Sequence, residues 1–328
     1  MNTSRESVRL HSLGQELSGV LFLPEAKQPS PVVLLCHGAG EFKENYFDLA
    51  EQLAASGVAS FAFDFHGHGQ SGGARFNVKM AEWVPDIQAA MDFLVKHPAI
   101  DANRIAAFGL SSGGTAILEA AVVDSRLKAL VVLDGTVRNS LPLPLTLFMK
   151  SLVTAGKIKK LFTGRDLLLP LAKLSGGIHL ASDPEVDARI QADPRAQEVY
   201  GAFPFPGGEE AFFVDTIKRV PSINAPTLVI WGEEDKLDPT ETARMLHAAL
   251  TCKKRLEIIA GNGHAGHLDR HRDKVFALTT EWVLQNLGKA QPADASAGSR
   301  SNGIQDNRSR SSEASLSAGK VGAAVAVS

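Results

Sequence analysis

The sequence predicts an α/β fold: a mostly parallel, eight-stranded sheet with helices on both faces. Three observations predict it. From Val32 onward, short apolar runs alternate with segments of helical periodicity. The runs, such as Val32-Val33-Leu34-Leu35-Cys36, are continuously apolar rather than alternating, as strands covered on both faces require. With 328 residues, 44% of them hydrophobic, the chain has room for one large α/β domain with an insertion, or for two small domains.

Val8 to His11 and Leu17 to Leu23 read as two antiparallel strands. Pro31 leads a third strand into His37-Gly38-Ala39-Gly40. Tyr46 to Ser56 reads as a helix, with Leu49, Leu53 and Ala54 on one face and Gly57 just past its end. Val58 to Phe63 is the next buried strand, ending at Asp64. Trp83 to His97 carries Ile87, Met91, Leu94 and Val95 at helical spacing. Arg104 to Phe108 is a strand and Thr115 to Ala121 the helix after it. Ala129 to Leu133 is a strand that stops at Asp134-Gly135. Thr227 to Trp231 and Leu256 to Ile259 complete the eight strands, and Asp273 to Leu287 is the closing helix.

Two segments break the alternation. Residues 137–221 are too long for a crossover; they carry helix-like pieces and several prolines and read as a helical cap inserted over the strand ends. The core is then residues 1–136 and 222–289. Residues 290–328, rich in Ser, Ala, Gly, Asn and Arg and poor in large aliphatics, read as a disordered tail. No internal repeat is present.

Composition narrows the function. A net charge of −2 and an aromatic content of 6% argue against nucleic-acid binding. Cys36, at the end of an apolar strand, reads as a small buried hydrophobe, and with Cys252 as the only other cysteine no disulfide framework is expected. No apolar stretch follows Met1-Asn2-Thr3-Ser4-Arg5 as in a signal peptide, and none approaches the length of a membrane span, so the expectation is a soluble, cytoplasmic protein.

The chemistry concentrates at Phe108-Gly109-Leu110-Ser111-Ser112-Gly113-Gly114. A Gly-x-Ser-x-Gly between a strand and a helix is a nucleophile elbow, which holds Ser111 strained and exposed at its tip. The following helix aims backbone N–H groups at an anion formed beside it. A serine nucleophile needs a base near neutral pH, and histidine fits. Among ten histidines, His264 follows the last strand in a glycine loop, with His267 as rival. His37, His66 and His68, also at strand ends, read as loop-organising groups. His11, His97, His179, His247 and His271 read as surface or packing residues. The base needs an acid to fix its tautomer. Gly232-Glu233-Glu234-Asp235-Lys236-Leu237-Asp238-Pro239 offers four carboxylates. Asp238-Pro239-Thr240-Glu241 reads as a helix cap, which favours Asp235 as the acid and leaves Asp134 as a geometric alternative. The oxyanion of a tetrahedral intermediate would meet the N–H groups of Ser112 and Ala39.

These motifs resemble a family. Cys36-His37-Gly38-Ala39-Gly40-Glu41, Asp64-Phe65-His66-Gly67-His68-Gly69-Gln70-Ser71-Gly72, the elbow, Gly232…Asp235 and Gly263-His264 together are similar to the serine aminopeptidase and monoglyceride-lipase-like branch of the α/β hydrolases, over residues 15–288. Ser112 departs from the methionine, leucine or glutamine of many relatives. The resemblance implies an α/β-hydrolase fold and a serine hydrolase with no cofactor and no metal. Its substrates are expected to be small esters with an apolar or aromatic acyl group. Thioesters or peptides cleaved by the same triad, or a non-catalytic binding protein on the same scaffold, are the alternatives. The cap is the remaining clue. Leu141 to Met149 and Leu167 to Leu171 are strongly apolar, with Lys150, Lys157, Lys159, Lys160 and Arg165 between them. They are expected to seal an acyl pocket, with Leu110, Leu145, Phe148 and Leu169 touching the acyl chain. Membrane contact would be at most peripheral, through the cap.

Overall fold

The computed structural model describes residues 3–26, 28–139, 141–174 and 177–290. Strands β1 (Thr3–Ser12) and β2 (Gln15–Pro24) form a hairpin turned by Leu13 and Gly14, both at positive φ. They extend beyond the expected apolar runs because the antiparallel ladder also holds the polar residues Thr3 to Ser7. Next come β3 (Ser30–Cys36), α1 (Phe47–Ala55), β4 (Ala59–Phe63), α2 (Met80–Leu94), β5 (Ile100–Leu110), α3 (Ser112–Val123) and β6 (Leu127–Leu133). The segment that follows holds α4 (Leu143–Thr163), β7 (Leu168–Leu169), α5 (Leu171–Leu174), α6 (Pro184–Ala192), α7 (Pro194–Gly201) and β8 (Phe203–Pro204). Then β9 (Thr227–Gly232), α8 (Thr240–Ala249), β10 (Lys254–Ile259) and α9 (Arg272–Leu287) return to the core.

The eight-stranded sheet runs β1-β2-β4-β3-β5-β6-β9-β10. From β4 to β10 in that order every neighbouring pair is parallel. Their carboxyl ends therefore share one edge, where open α/β sheets bind ligands. The continuous apolar runs are explained by alternation between two cores. Val32, Leu34 and Cys36 face the layer of α2, α3 and α8, with Ile87, Ile117 and Leu246. Val33 and Leu35 face the layer of α1 and α9, with Leu53, Val275 and Val283. Each such fully buried side chain contributes about 1.5–3 kcal/mol.

The segment between β6 and β9 has a core of its own. Phe42 and Phe76, from the loops after β3 and β4, pack with Val153, Val199, Phe203 and Phe205 of the segment. It thus rests on the loops at the carboxyl edge. Asp183 caps α6 by accepting from Glu185 N and Val186 N, Asp193 caps α7 by accepting from Arg195 N, and each is followed by proline in the first turn.

Helix α4 corrects an expectation. It buries one narrow stripe, Thr146, Val153 and Gly156, with Met149 and Leu152 half-buried beside it. The Thr146 hydroxyl, which accepts from Asn139 Nδ2 at 2.9 Å and lies 3.2 Å from the Leu141 carbonyl, fixes that register. Leu143, Leu145, Leu147, Phe148, Leu161 and Phe162 consequently face water, Phe162 at 81% exposure. Apolar composition indicated burial, but a helix on a surface buries only one face. The expected tail falls almost wholly at residues 291–328, outside the described residues.

Candidate active site

Ser111 stands between β5 and α3 at φ 51° and ψ −120°, a region that costs a non-glycine residue energy and persists only where the surroundings enforce it. Glycine enforces it here. A Cβ at Gly109 would strike the Gly113 carbonyl, and one at Gly113 would strike the carbonyl oxygens of Cys36 and His37. Strand, helix and the loop after β3 are thereby drawn together at the elbow, with Ser111 half-exposed at its tip. Ser112 is the first residue of α3, so its N–H has no partner within the helix. Gly38 lies against the serine: a Cβ there would sit 3.3 Å from Ser111 Cβ and 3.5 Å from Leu110 Cδ2. Leu110 is buried in the core under this loop, and Ala39, the next residue, is half-exposed.

Backbone hydrogen bonds tie the strand ends into one row. Ser111 N–H donates to the Leu133 carbonyl at 3.0 Å, Asp134 N–H to Ile230 at 3.0 Å, and Glu234 N–H to Asn262 at 2.9 Å. Beyond Asn262 the loop delivers His264. Its Nδ1 is 2.8 Å from Asp235 Oδ2, and both side chains are buried. A carboxylate can only accept, so Nδ1 carries the proton and Nε2 is left basic. The other oxygen, Asp235 Oδ1, accepts the N–H groups of Leu237 (2.8 Å) and Asp238 (3.0 Å). Burial opposes protonation of His264, but the Asp235 carboxylate outweighs it, with smaller help from Asp134 and Asp238, and holds the imidazole above its ordinary value.

The rivals are engaged in other bonds. Asp134, itself at φ 46°, accepts from Gly232 N at 2.7 Å. Burial, reinforced by Asp235, raises its pKa. Asp238 does not cap α8, whose N-cap is Pro239 with no side-chain bond. It is buried instead, its Oδ2 taking the Thr136 hydroxyl at 2.8 Å, because the chain enters α8 one residue later than the Asp-Pro pattern suggests. His267 is buried face to face on Tyr46, centroids 4.6 Å apart. His37 organises the loops as expected: Nδ1 donates to the Gly38 carbonyl at 2.8 Å and Nε2 accepts from Phe65 N at 3.0 Å. His66 pairs with Asp86 at 2.6 Å, and His68, through Nδ1, with the His66 carbonyl at 3.0 Å.

A family model described as serine aminopeptidase, S33, matches residues 27–271, about three quarters of the chain. The chain belongs to this family of α/β hydrolases. Within it the hydrolase falls in the monoglyceride-lipase-like branch. It is 26% identical to a monoacylglycerol lipase of Mycolicibacterium smegmatis, covering 79% of this chain and 90% of that one. It is 27% identical to the human monoglyceride lipase, covering 81% and 86%. A solved monoglyceride lipase of Saccharomyces cerevisiae shares the fold at a TM-score of 0.66 and 17% identity, over 86% of this chain and 96% of that one.

The hydrolase also has features that sequence reasoning did not find. Asp269, buried, accepts from Gly263 N (2.7 Å), Ser182 N (2.8 Å), Asp183 N (2.9 Å) and Arg270 N (2.8 Å). It joins the loop of His264 to the inserted segment. Only its position five residues after His264 could have drawn attention to it. A cavity of about 420 Å³ opens beside His264, lined by Glu234, Lys236 and Gly263 on one side and Ser182 and Gln191 on the other. Leu169 packs half-buried on the aromatic cluster of the insertion, Leu145 is partly exposed near the start of α4 on the stripe of Met149 and Leu152, and Phe148 is exposed. Among the described residues no helix is long and apolar enough to cross a membrane, and no cluster of His, Cys, Asp and Glu could hold a metal ion.

Proposed function

We propose that the chain is a serine hydrolase of carboxylic esters, with Ser111 as nucleophile, His264 as base, Asp235 as the acid that orients it, and the N–H groups of Ala39 and Ser112 as the oxyanion hole. The observation that carries this reading is the buried 2.8 Å bond between His264 and Asp235 at the same sheet edge as the strained Ser111. His264 Nε2 takes the Ser111 proton as Oγ attacks the ester carbonyl. The oxyanion meets the two N–H groups, and His264 then protonates the departing alcohol, leaving an acyl-enzyme. Water, deprotonated by His264, releases the acid. The cavity beside His264 gives the alcohol and the incoming water a place next to the base.

The acyl group in this reading is apolar. Residues 137–221 act as a cap, and the inner stripe of α4, Met149, Leu152 and Val153, with Leu169, faces the chain. Leu145 stands on the same helical stripe as Met149 and Leu152 and keeps its expected place at the acyl group, whereas Phe148 is exposed with Leu147 and Phe162 on a face that also carries Lys150, Lys157 and Lys159. That face suits peripheral contact with an anionic lipid surface. The named lipase relatives support a small ester substrate. The test is a fluorophosphonate probe on the wild type and S111A, with p-nitrophenyl esters of rising chain length beside thioesters and aminoacyl amides. Labelling at Ser111 and a rate that climbs from acetate to a medium-length acyl group is the expected result. Full activity of S111A, or faster turnover of thioesters or amides than of any ester, would overturn the reading.

A further inference from the structure

Glu41 is a buried carboxylate, in the loop that carries Ala39, and pairs with no lysine or arginine among the described residues. Such a group is costly unless its oxygens are bonded. Glu41 closes the loop on itself twice: its N–H donates to the Gly38 carbonyl at 3.3 Å, and its Oε2 accepts the Gly38 N–H at 3.4 Å. The same Oε2 accepts the Tyr46 hydroxyl at 2.5 Å. Its other oxygen, Oε1, lies 3.5 Å from Nε2 of His267, the ring stacked on Tyr46. His267 sits in the loop of His264, three residues on. The node therefore bridges the loop of the oxyanion donor and the loop of the base, beneath the elbow.

We propose that Glu41, held by the Tyr46 hydroxyl, is a positioning residue for the oxyanion hole, fixing the Ala39 peptide relative to Ser111 and to the loop of His264. The inference rests on the serine-hydrolase reading. Ala39 lies inside the turn that Glu41 closes, and its N–H shares a peptide with the Gly38 carbonyl, which accepts the Glu41 N–H at 3.3 Å and His37 Nδ1 at 2.8 Å. The Glu41 side chain acts on that peptide from its other side, through the Gly38 N–H. Glu41 touches neither substrate nor reacting atom in this role. What it supplies is an acceptor rather than a charge, since both partners of Oε2 are donors. A net charge there would oppose the oxyanion, so the amide of glutamine should serve nearly as well.

The test compares E41L, E41Q and Y46F by kcat, KM for a p-nitrophenyl ester, and inhibition by phenylboronic acid, whose tetrahedral adduct on Ser111 places an oxyanion in the hole. Losing one donor outright costs about 10²–10³ in kcat, so misaiming one in E41L should cost about 10–100-fold, with KM within about twofold and boronate affinity weakened in parallel. E41Q should recover most of that loss. If E41L does not fold, Y46F carries the same test, since it removes only the hydroxyl and keeps the ring on His267. Its kcat should fall about fivefold or more at constant KM. Wild-type kcat in E41L or in Y46F, or equal losses in E41L and E41Q, would overturn the role of Glu41. These readings are taken beside an S111A control. Activity persisting in that control would instead overturn the underlying assignment of Ser111.

Discussion

Thr136 donates its hydroxyl to Asp238 across 2.8 Å, which leaves Asp235 as the carboxylate facing His264. The two aspartates stand three residues apart after β9 and both are buried. D235N keeps the shape but presents an amide to Nδ1, which selects the wrong tautomer, so kcat should fall by about 10⁴ with little loss of fold. D238N keeps an acceptor for Thr136 and should stay within about threefold of wild type, since neutral hydrogen bonds of this kind are worth about 1 kcal/mol. Steady-state kinetics of both variants checks this; the reverse pattern would move the acid to Asp238.

The pH dependence follows from the same pair. Asp235 favours the protonated imidazole, so His264 loses its proton above the ordinary histidine range. Only the neutral ring can take the Ser111 proton. The acid limb of kcat/KM should therefore rise through a midpoint above about 6.5. Removing the charge in D235N should move that midpoint down. A wild-type midpoint below the ordinary value would contradict the arrangement. The sign for stability is opposite: the charged pair contributes below the unfolded pKa and its contribution is lost as pH rises through the folded one.

Asp269 joins two loops through four backbone N–H groups. D269A strands those donors, each worth about 1–3 kcal/mol when buried and unmet. Amide exchange at Ser182, Asp183 and Gly263 should accelerate together, and kcat should fall about tenfold or more as His264 loses its fixed approach. Exchange confined to one loop would show that the carboxylate does not couple them.

The outward face of α4 makes a prediction of its own. Leu161 and Phe162 are about four-fifths exposed, beside Lys159 and Lys160. Replacing both by serine should weaken co-sedimentation with anionic vesicles at least about tenfold, given about 0.8 kcal/mol per buried CH₂. Turnover of a water-soluble short ester should be unchanged. Equal binding by both proteins would remove the lipid role.

The sheet was legible because strands buried on both faces must be apolar throughout, as Val32 to Cys36 and Val131 to Leu133 are. Ser111 was legible because two glycines flank it for a reason of space, which leaves a local mark. Asp235 and His264 were legible as residues after strands. The role of Asp238 was misread because its partner, Thr136, lies 102 positions away. The orientation of α4 was misread because composition counts apolar residues without saying which face they occupy. Asp269 left no mark, since it works through backbone groups of two loops, and backbone has no sequence; Glu41 stood in a motif, but its bond to the Tyr46 hydroxyl did not show there.

The row of strand ends also sets what partial folding can produce. The proposed nucleophile hangs on β5, the proposed acid and base follow β9 and β10, and β6 lies between them. The elbow belongs to the first half of the chain, while the groups proposed to make its serine nucleophilic come from the last hundred residues. A chain that has completed its first five sheet strands holds a shaped but inert serine. Regain of esterase activity on refolding thus times the docking of the C-terminal strands, later than any signal from helices or from the N-terminal core.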